Sequence, residues 1–249
     1  MNPDTLHLIP LLVFTFVAAG LVKGVTGMGL PTVAMALLTT ALPPLAAAAL
    51  LVVPSFVTNL WQLLAGPSTR AVLRRLWPMM LGIVLGTVGG AAGLARVDPR
   101  WSGVGLGLAL ILYAAYALRA PQLAVPKAAE PWLGPLVGVL TGLITGATGV
   151  FVMPAVPYLQ ALRLSKDDLV QALGLSFTVS TVALAVGLSG HGAFSVGQLG
   201  LSVLVILPAL AGMWLGQVIR QRISAVWFRR GFLLFLLGLG VELVVRPFW

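Results

Sequence analysis

Residues 142–154 read GLITGATGVFVMP, and residues 20–31 read GLVKGVTGMGLP. With an offset of 122 residues the two stretches share five identical positions, and one inserted residue brings the prolines into register. The matched pairs are Gly20 and Gly142, Leu21 and Leu143, Gly24 and Gly146, Thr26 and Thr148, Gly27 and Gly149, and Pro31 and Pro154. Each stretch interrupts an apolar run with glycines, a threonine and a proline, which is how one helix ends and another begins. Interrupted helices at matching places in two halves are the best sequence indicator of a transporter's binding site.

The composition places the chain in a membrane. Of its 249 residues, 59% are hydrophobic and 8% are charged, and the mean hydropathy is +1.04. Soluble domains carry roughly a quarter charged residues. Apolar runs of about 17 to 25 residues, each long enough to cross a lipid bilayer as a helix, follow one another along the chain. We therefore predict an all-α integral membrane protein, and we interpret the first apolar run as a membrane helix and not as a cleaved signal.

Ten helices are predicted from the apolar runs and their breaks. They cover residues 8–24, 29–42, 45–64, 76–94, 101–118, 132–146, 153–162, 169–188, 199–219 and 227–245. Residues 119–131, RAPQLAVPKAAEP, have the composition of a linker. The predicted organisation is a first membrane repeat at 1–120, a linker at 121–131 and a second membrane repeat at 132–249.

A second set of matches supports the duplication. At an offset of 126, Gly86, Gly90, Arg96, Val97, Trp101 and Gly105 correspond to Gly212, Gly216, Arg222, Ile223, Trp227 and Gly231. Small residues that let membrane helices pack closely would explain the glycines. They would not explain the matched tryptophans, so we predict a true internal repeat.

Basic residues are distributed unequally between matching loops. The loop after the third helix carries Arg70, Arg74 and Arg75, whereas its counterpart, residues 189–198, carries no Lys or Arg. Because Lys and Arg favour cytoplasmic loops, the loops at 65–75, 119–131, 162–168 and 219–230 are predicted to face the cytoplasm, with both termini outside. This orientation, and not nucleic-acid binding, explains the net charge of +9. Matching loops on opposite sides indicate two inverted repeats of about five helices each, with eight to ten membrane helices in total.

In each predicted repeat the first two helices are short and form a hairpin with a glycine-rich tip. The two tips are predicted to meet within the membrane. At each tip the N-terminus of the second helix presents unpaired N–H groups and the positive end of its dipole. Such a site attracts a small anion. The predicted substrate-binding residues are Gly24, Thr26, Gly27 and Gly29 in the first tip, and Gly146, Thr148 and Gly149 in the second.

Lys23 is the basic residue placed deepest in an apolar run, and its counterpart is the uncharged Thr145. Ionisable residues inside membrane helices are costly and usually functional, so Lys23 is predicted to bind the anion. The alternative is a lysine whose side chain extends to the membrane interface. The sequence alone leaves both interpretations open.

Polar residues follow a helical period in the third helix and recur in the eighth. They are Ser55, Thr58, Asn59 and Gln62 in the third helix, and Ser176, Thr178, Ser180 and Thr181 in the eighth. Neutral hydroxyls and amides donate to an oxyanion without the cost of a buried charge, so Ser55, Asn59, Ser176 and Ser180 are predicted to bind substrate. Hydrogen bonds between neighbouring helices are the alternative role.

Several kinds of chemistry lack the residues that they need. The chain has no cysteine, and its two histidines, His7 and His191, are predicted near a helix end and in a loop. The six acidic residues fall in loops, at termini or near the end of the last helix. We therefore predict no metal, no cofactor and no enzyme active site.

The paired motifs GLVKGVTGMGLP and GLITGATGVFVMP, each opening a half, resemble those of the sulfite exporter TauE/SafE family of bacterial permeases. The resemblance extends over nearly the whole chain. It implies transport of sulfite, sulfonates and related small sulfur-containing or organic anions across the inner membrane, often as export. In one departure, Val150 and Phe151 replace Met28 and Gly29, which makes the second tip bulkier.

We therefore predict a multi-pass secondary transporter of the cell inner membrane that moves a small anion. Its predicted mechanism is alternating access around a central site between the tips. An anion channel using the same tips is an alternative, and a membrane-embedded enzyme or assembly factor is a weaker one. The sequence leaves open the anion, the direction, the coupling ion and whether the chain forms a homodimer.

Overall fold

The computed structural model describes residues 3–119, 123–190, 196–220, 222 and 224–248, and within these residues every regular element is helical. The helices are α1 (Pro3–Thr26), α2 (Leu30–Leu38), α3 (Pro44–Leu64), α4 (Thr69–Arg96), α5 (Pro99–Arg119), α6 (Glu130–Thr148), α7 (Ala155–Ala161), α8 (Lys166–Ser189), α9 (Val196–Leu204), α10 (Ile206–Arg220) and α11 (Ala225–Val245). Eight segments of the described chain are long and apolar enough to cross a membrane. The chain is a multi-pass membrane protein. His191 and Ile223 lie outside the described residues.

The predicted helices are present, but the first helix of each half is not short. α1 has 24 residues and α6 has 19. At about 1.5 Å per residue each can cross a bilayer. The short elements are α2, with 9 residues, and α7, with 7. The predicted ninth helix is divided into α9 and α10 at Val205, because Pro208 cannot donate an N–H to the Leu204 carbonyl.

The first helix of one half packs on the third membrane crossing of the other half through glycines. In the α1–α10 pair, a Cβ added to Gly24 would overlap the carbonyl oxygen of Met213. A Cβ added to Gly216 would overlap the carbonyl oxygen of Leu21. Backbone thus meets backbone directly, which is the close approach that small residues permit in membrane helices.

The α4–α6 pair repeats these contacts. A Cβ added to Gly146 would overlap the Thr87 carbonyl oxygen, and one added to Gly90 would lie 2.6 Å from the Leu143 carbonyl oxygen. Each of these positions corresponds to one in the α1–α10 pair, at the offsets of 122 and 126 found in the sequence. Each half therefore contributes one helix to each pair, and neither half packs as a separate unit.

Three connections, residues 65–68, 123–129 and 162–165, lie together with Arg222 and Ser224 at one end of the bundle, which we call the basic end. Arg75 and Glu130 pair there at 2.6 Å. The Val125 N–H donates to the Ala161 carbonyl at 3.0 Å, and Gln171 Nε2 donates to the Gly66 carbonyl at 2.9 Å. The basic residues of this end are Arg70, Arg74, Arg75, Arg119, Lys127, Arg163, Lys166, Arg220, Arg222, Arg229 and Arg230, whereas Arg96, Arg100 and Arg246 lie at the opposite end.

The two glycine-rich tips belong to hairpins that enter the bundle from opposite ends. After the first tip, α2 returns to the end that holds Arg246, which donates to the Thr40 carbonyl at 3.3 Å. After the second tip, α7 returns to the basic end. The two hairpins are in contact, since a Cβ added to Gly149 would lie 2.9 Å from the sulfur of Met35 on α2. A meeting of the tips around a binding site within the membrane stays a prediction.

Candidate functional site

The first tip joins α1 to α2 through residues 27–29. The hydroxyl of Thr26 lies 2.8 Å from the carbonyl oxygens of Val22 and Met28. It also lies 3.3 Å from the Met28 N–H. These contacts occupy the Thr26 hydroxyl with the backbone of the tip and hold the turn, and the role of Thr26 in binding stays a prediction.

Lys23 lies in the last turn of α1 and is almost completely buried, with 3% of its surface exposed. Its ammonium donates a hydrogen bond to Asn59 Oδ1 on α3. Asn59 Nδ2 in turn donates to Thr181 Oγ1 on α8 at 3.4 Å. Within the described residues, no carboxylate forms an ion pair with Lys23. A buried lysine held by a neutral amide has no counter-charge among its described neighbours, so its protonated form favours binding of an anion.

Gln62 links the first tip to α3 and α8. Its Nε2 donates to the carbonyl oxygen of Gly27 at 2.9 Å and to that of Val170 at 3.0 Å. The sequence placed Gln62 on the same face as Asn59. The structure agrees, since both side chains reach the lysine-bearing turn of α1.

A cavity of about 480 Å³ adjoins this network. It lies between α1 and α10 on one side and the ends of α3 and α8 on the other. Its lining residues are Lys23, Gly24, Gly27, Trp61, Gln62, Ala65, Val170, Met213, Gln217 and Arg220. Because Arg220 ends α10 at the basic end, the cavity leads from Lys23 towards that end.

Gln217 and Arg220 are functional candidates that sequence reasoning missed. Arg220 was interpreted only as a loop charge. Gln217 interrupts an apolar run and lies one turn after Met213, and this polar interruption was the available signal. Their proximity to Lys23 depends on the packing of α1 against α10, which the sequence did not predict.

Three serines extend the polar surface into the centre of the bundle. Ser55 on α3 and Ser176 and Ser180 on α8 are fully buried, and their hydroxyls have no hydrogen-bond partner within the described residues. In contrast, Thr58, Thr178 and Thr181 bond the carbonyl four residues earlier at 2.6–2.8 Å. The three serine hydroxyls are therefore available to water or to a polar ligand.

The second tip is closed. Thr148 donates to the Ile144 carbonyl at 2.7 Å and accepts from the Val150 N–H at 3.2 Å. Phe151 is fully buried, and its ring lies 6.5 Å from that of Phe177 between centroids. A Cβ added to Gly149 would lie 2.9 Å from the sulfur of Met35. α7 has only seven residues and begins after this packed segment, so it offers an anion no open helix end.

A family model described as Sulfite exporter TauE/SafE matches residues 12–243, which include the cavity and both tips. The chain belongs to the sulfite exporter TauE/SafE family. No curated protein and no solved structure gives a significant match. The TauE/SafE family is a transporter family, and the inner membrane is the location that fits a bacterial exporter of this kind. Membership and the eight apolar spans together make this chain a multi-pass membrane transport protein.

Within this TauE/SafE protein, the predicted site residues fall into separate groups. Lys23, Gly24, Gly27 and Asn59 lie at or beside the cavity. Ser55, Ser176 and Ser180 lie deeper, at the α3–α8 interface. Gly29 begins the turn into α2, where a Cβ would lie 3.3 Å from Val22 Cγ1. Gly146, Thr148 and Gly149 are not among the residues that line the cavity or bond Lys23 in the described part of the chain, and their role in binding stays a prediction.

Proposed function

We propose that this protein is a secondary transporter that exports a small sulfur-containing anion, with sulfite as the first candidate. The observation that carries the proposal is the burial of Lys23 against Asn59 at the inner end of a cavity. The family match supports the choice of a sulfur oxyanion. The anion would enter from the basic end, which the distribution of Lys and Arg assigns to the cytoplasm.

The chemistry of the cavity suits an oxyanion. Lys23 supplies a charge, Gln62 and Gln217 supply amide N–H donors, and Arg220 supplies a guanidinium near the mouth. Charge-assisted hydrogen bonds to a buried group are stronger than those between neutral groups. A cavity of about 480 Å³ exceeds the volume of an ion of four heavy atoms, which leaves room for water or for the organic part of a sulfonate.

Alternating access is the mechanism that we propose, and the exchange of contacts between the halves supports an inverted repeat. α1 packs on α10 as α6 packs on α4, through corresponding glycines. Rocking of one half against the other would break the backbone contacts of α1 with α10 and of α4 with α6. We therefore propose that the moving units are the cross-half pairs α1–α10 and α4–α6, sliding against α3 and α8. The homodimer stays a prediction.

The test compares Lys23→Met with Arg74→Met in proteoliposomes loaded with sulfite. A charged hydrogen bond contributes about 1.5–3 kcal/mol, so Lys23→Met should reduce sulfite flux about 10- to 100-fold. Arg74 is exposed at the basic end, and its removal should change flux less than about twofold.

Folding is controlled in the same experiment. Lys23→Met replaces a buried charge by an apolar chain of similar length, so its thermal stability should equal or exceed that of the parent protein. Sulfite should raise the unfolding temperature of the parent and not that of Lys23→Met. Equal flux in the two variants would remove Lys23 from the mechanism, and electrical conductance far above carrier turnover would identify a channel.

A further inference from the structure

Each main wall of the cavity has a counterpart in the opposite half of the chain. At the offset of 122, Lys23 corresponds to Thr145 and Gly24 to Gly146. At the offset of 126, Met213 corresponds to Thr87 and Gln217 to Ala91. The pair Ser55–Phe56 recurs as Ser176–Phe177, an offset of 121 at which Gln62 corresponds to Ala183. The counterparts Thr145, Thr87, Ala91 and Ala183 are all buried.

The region formed by these counterpart residues is closely packed. The segment of α4 that contains Thr87 and Ala91 lies between α6 and α8. On the α6 side, a Cβ added to Gly146 would lie 2.6 Å from the Ala91 nitrogen. On the α8 side, a Cβ added to Gly187 would lie 2.6 Å from the Ala91 Cβ. Where α10 leaves a gap of about 480 Å³ beside α3 and α8, α4 leaves no such gap beside α8.

Two hydroxyls in this sealed region are unsatisfied. Thr87 on α4 and Thr141 on α6 are fully buried, and neither hydroxyl has a partner within the described residues. Nearby Thr148, on the same helix as Thr141, instead bonds the carbonyl four residues earlier. Buried polar groups in proteins are nearly always paired. The hydroxyls of Thr87 and Thr141 are therefore available to water or to a ligand when the packing around them opens.

We propose that the seam between α4 and α8 is a second mouth for the anion, lined by Thr87 and Thr141, and that it opens to the end opposite the basic end. The inference rests on the proposed transport function. To that function it adds the route by which the anion leaves and the chemical groups that line this route. The first cavity holds the anion with a cation, whereas the second mouth offers only neutral hydroxyls, so an anion that reaches it is bound more weakly and leaves.

The seam connects to the unpartnered serines. Ser176 and Ser180 lie on α8, the helix that lines the cavity through Val170 and the seam through Gly187. The polar surface along α8 therefore runs from the open cavity towards the closed seam. A slide of the α4–α6 pair away from α8 would join this surface to the opposite end and hydrate Thr87 and Thr141.

Single cysteines test the seam directly, because the parent chain contains no cysteine. Thr87→Cys, Thr141→Cys, Met213→Cys and Ala114→Cys are reconstituted separately, and a membrane-impermeant methanethiosulfonate reagent is applied to one side at a time. Ala114 is a buried residue of α5 that lines neither mouth and serves as the control. Gel filtration and thermal unfolding verify each fold before labelling.

Thr87→Cys should react from the side opposite the basic end at least tenfold faster than Ala114→Cys, and Met213→Cys should react from the basic side. The seam is disproved if Thr87→Cys and Thr141→Cys, both correctly folded, react no faster than Ala114→Cys. Labelling of Thr87→Cys from both sides equally would also overturn the proposal. Because labelling requires no sulfite, this outcome is independent of the flux measured for Lys23→Met.

Discussion

The first tip, residues 26–29, and the second tip, residues 148–151, both place a glycine with positive φ after a threonine, with φ of 79° at Gly27 and 72° at Gly149. Their surroundings differ. Gly27 borders the cavity and has open space where a Cβ would stand, whereas Gly149 lies against Met35. The same backbone break thus borders an open cavity in one half and a closely packed contact in the other. The difference teaches that side chains around the break, and not the break itself, determine which tip can bind an anion.

Two substitutions account for the contrast. Lys23 in the first half is Thr145 in the second, whose hydroxyl lies 3.2 Å from the Val150 carbonyl and is satisfied within its own tip. Gly29 in the first half is Phe151 in the second. Val22 and Phe232 pack on Gly29, whereas Phe151 fills its own tip with a fully buried ring. The first half therefore has the lysine, Lys23, and the second half has the phenylalanine that fills its tip, Phe151.

A large effect is expected from truncating Phe151, the side chain that fills the second tip. Phe151→Ala creates a cavity at a fully buried position, and loss of a core phenylalanine costs about 3–5 kcal/mol in soluble proteins. We expect about 2–3 kcal/mol here, because lipid is as apolar as the core and the loss is mainly one of packing. Unfolding in detergent measures it. Met28→Ala, which truncates a partly buried side chain of the first tip, is the comparison variant, and an equal loss in both would contradict the contrast between the tips.

Substitution of the two tip glycines should separate strain from packing. In Gly27→Ala the new Cβ contacts no neighbouring atom, so the free energy of unfolding should fall only by the cost of left-handed backbone, about 1–2 kcal/mol. Gly149→Ala pays the same strain and also displaces the buried Met35, whose sulfur would be 2.9 Å from the new Cβ. We expect a further loss of about 1–2 kcal/mol for Gly149→Ala.

A double-mutant cycle identifies the cause of that further loss. Met35→Ala combined with Gly149→Ala should destabilise less than the sum of the two single changes, because the contact is then absent. Strict additivity in the measured free energies of unfolding would show that Met35 does not seal the second tip.

The smallest effect is expected at the ion pair that joins α4 and α6. Arg75 and Glu130 form two hydrogen bonds of 2.6 and 2.9 Å, but the arginine side chain is 39% exposed. Exposed ion pairs contribute about 0–1 kcal/mol, so Arg75→Gln should lower the free energy of unfolding by about 0.5 kcal/mol. High salt should abolish the difference. A loss well above about 1 kcal/mol would mean that this ion pair stabilises the contact between α4 and α6 more than an exposed pair does.

Much of the fold could be predicted from the sequence. Runs of apolar residues long enough to cross a bilayer, ended by prolines and glycines, located the membrane helices because backbone in lipid must satisfy its own hydrogen bonds. The repeat was visible because its landmarks are glycines and prolines, whose backbone roles tolerate few replacements. Lys23 was identified by its charge alone, since a lysine inside an apolar run is costly. Asn59 and Gln62 were found from helical periodicity.

Only the tertiary structure decided how far each tip extends and what it meets. A sequence records where a helix breaks, but the position of the break in the bundle depends on how α1 and α6 pack across the halves against α10 and α4. That packing brings Gln217 and Arg220 to Lys23, a contact between residues nearly two hundred positions apart. Contacts between helices of the two halves depend on how many small side chains fit together at once, and this fit cannot be predicted from local sequence patterns.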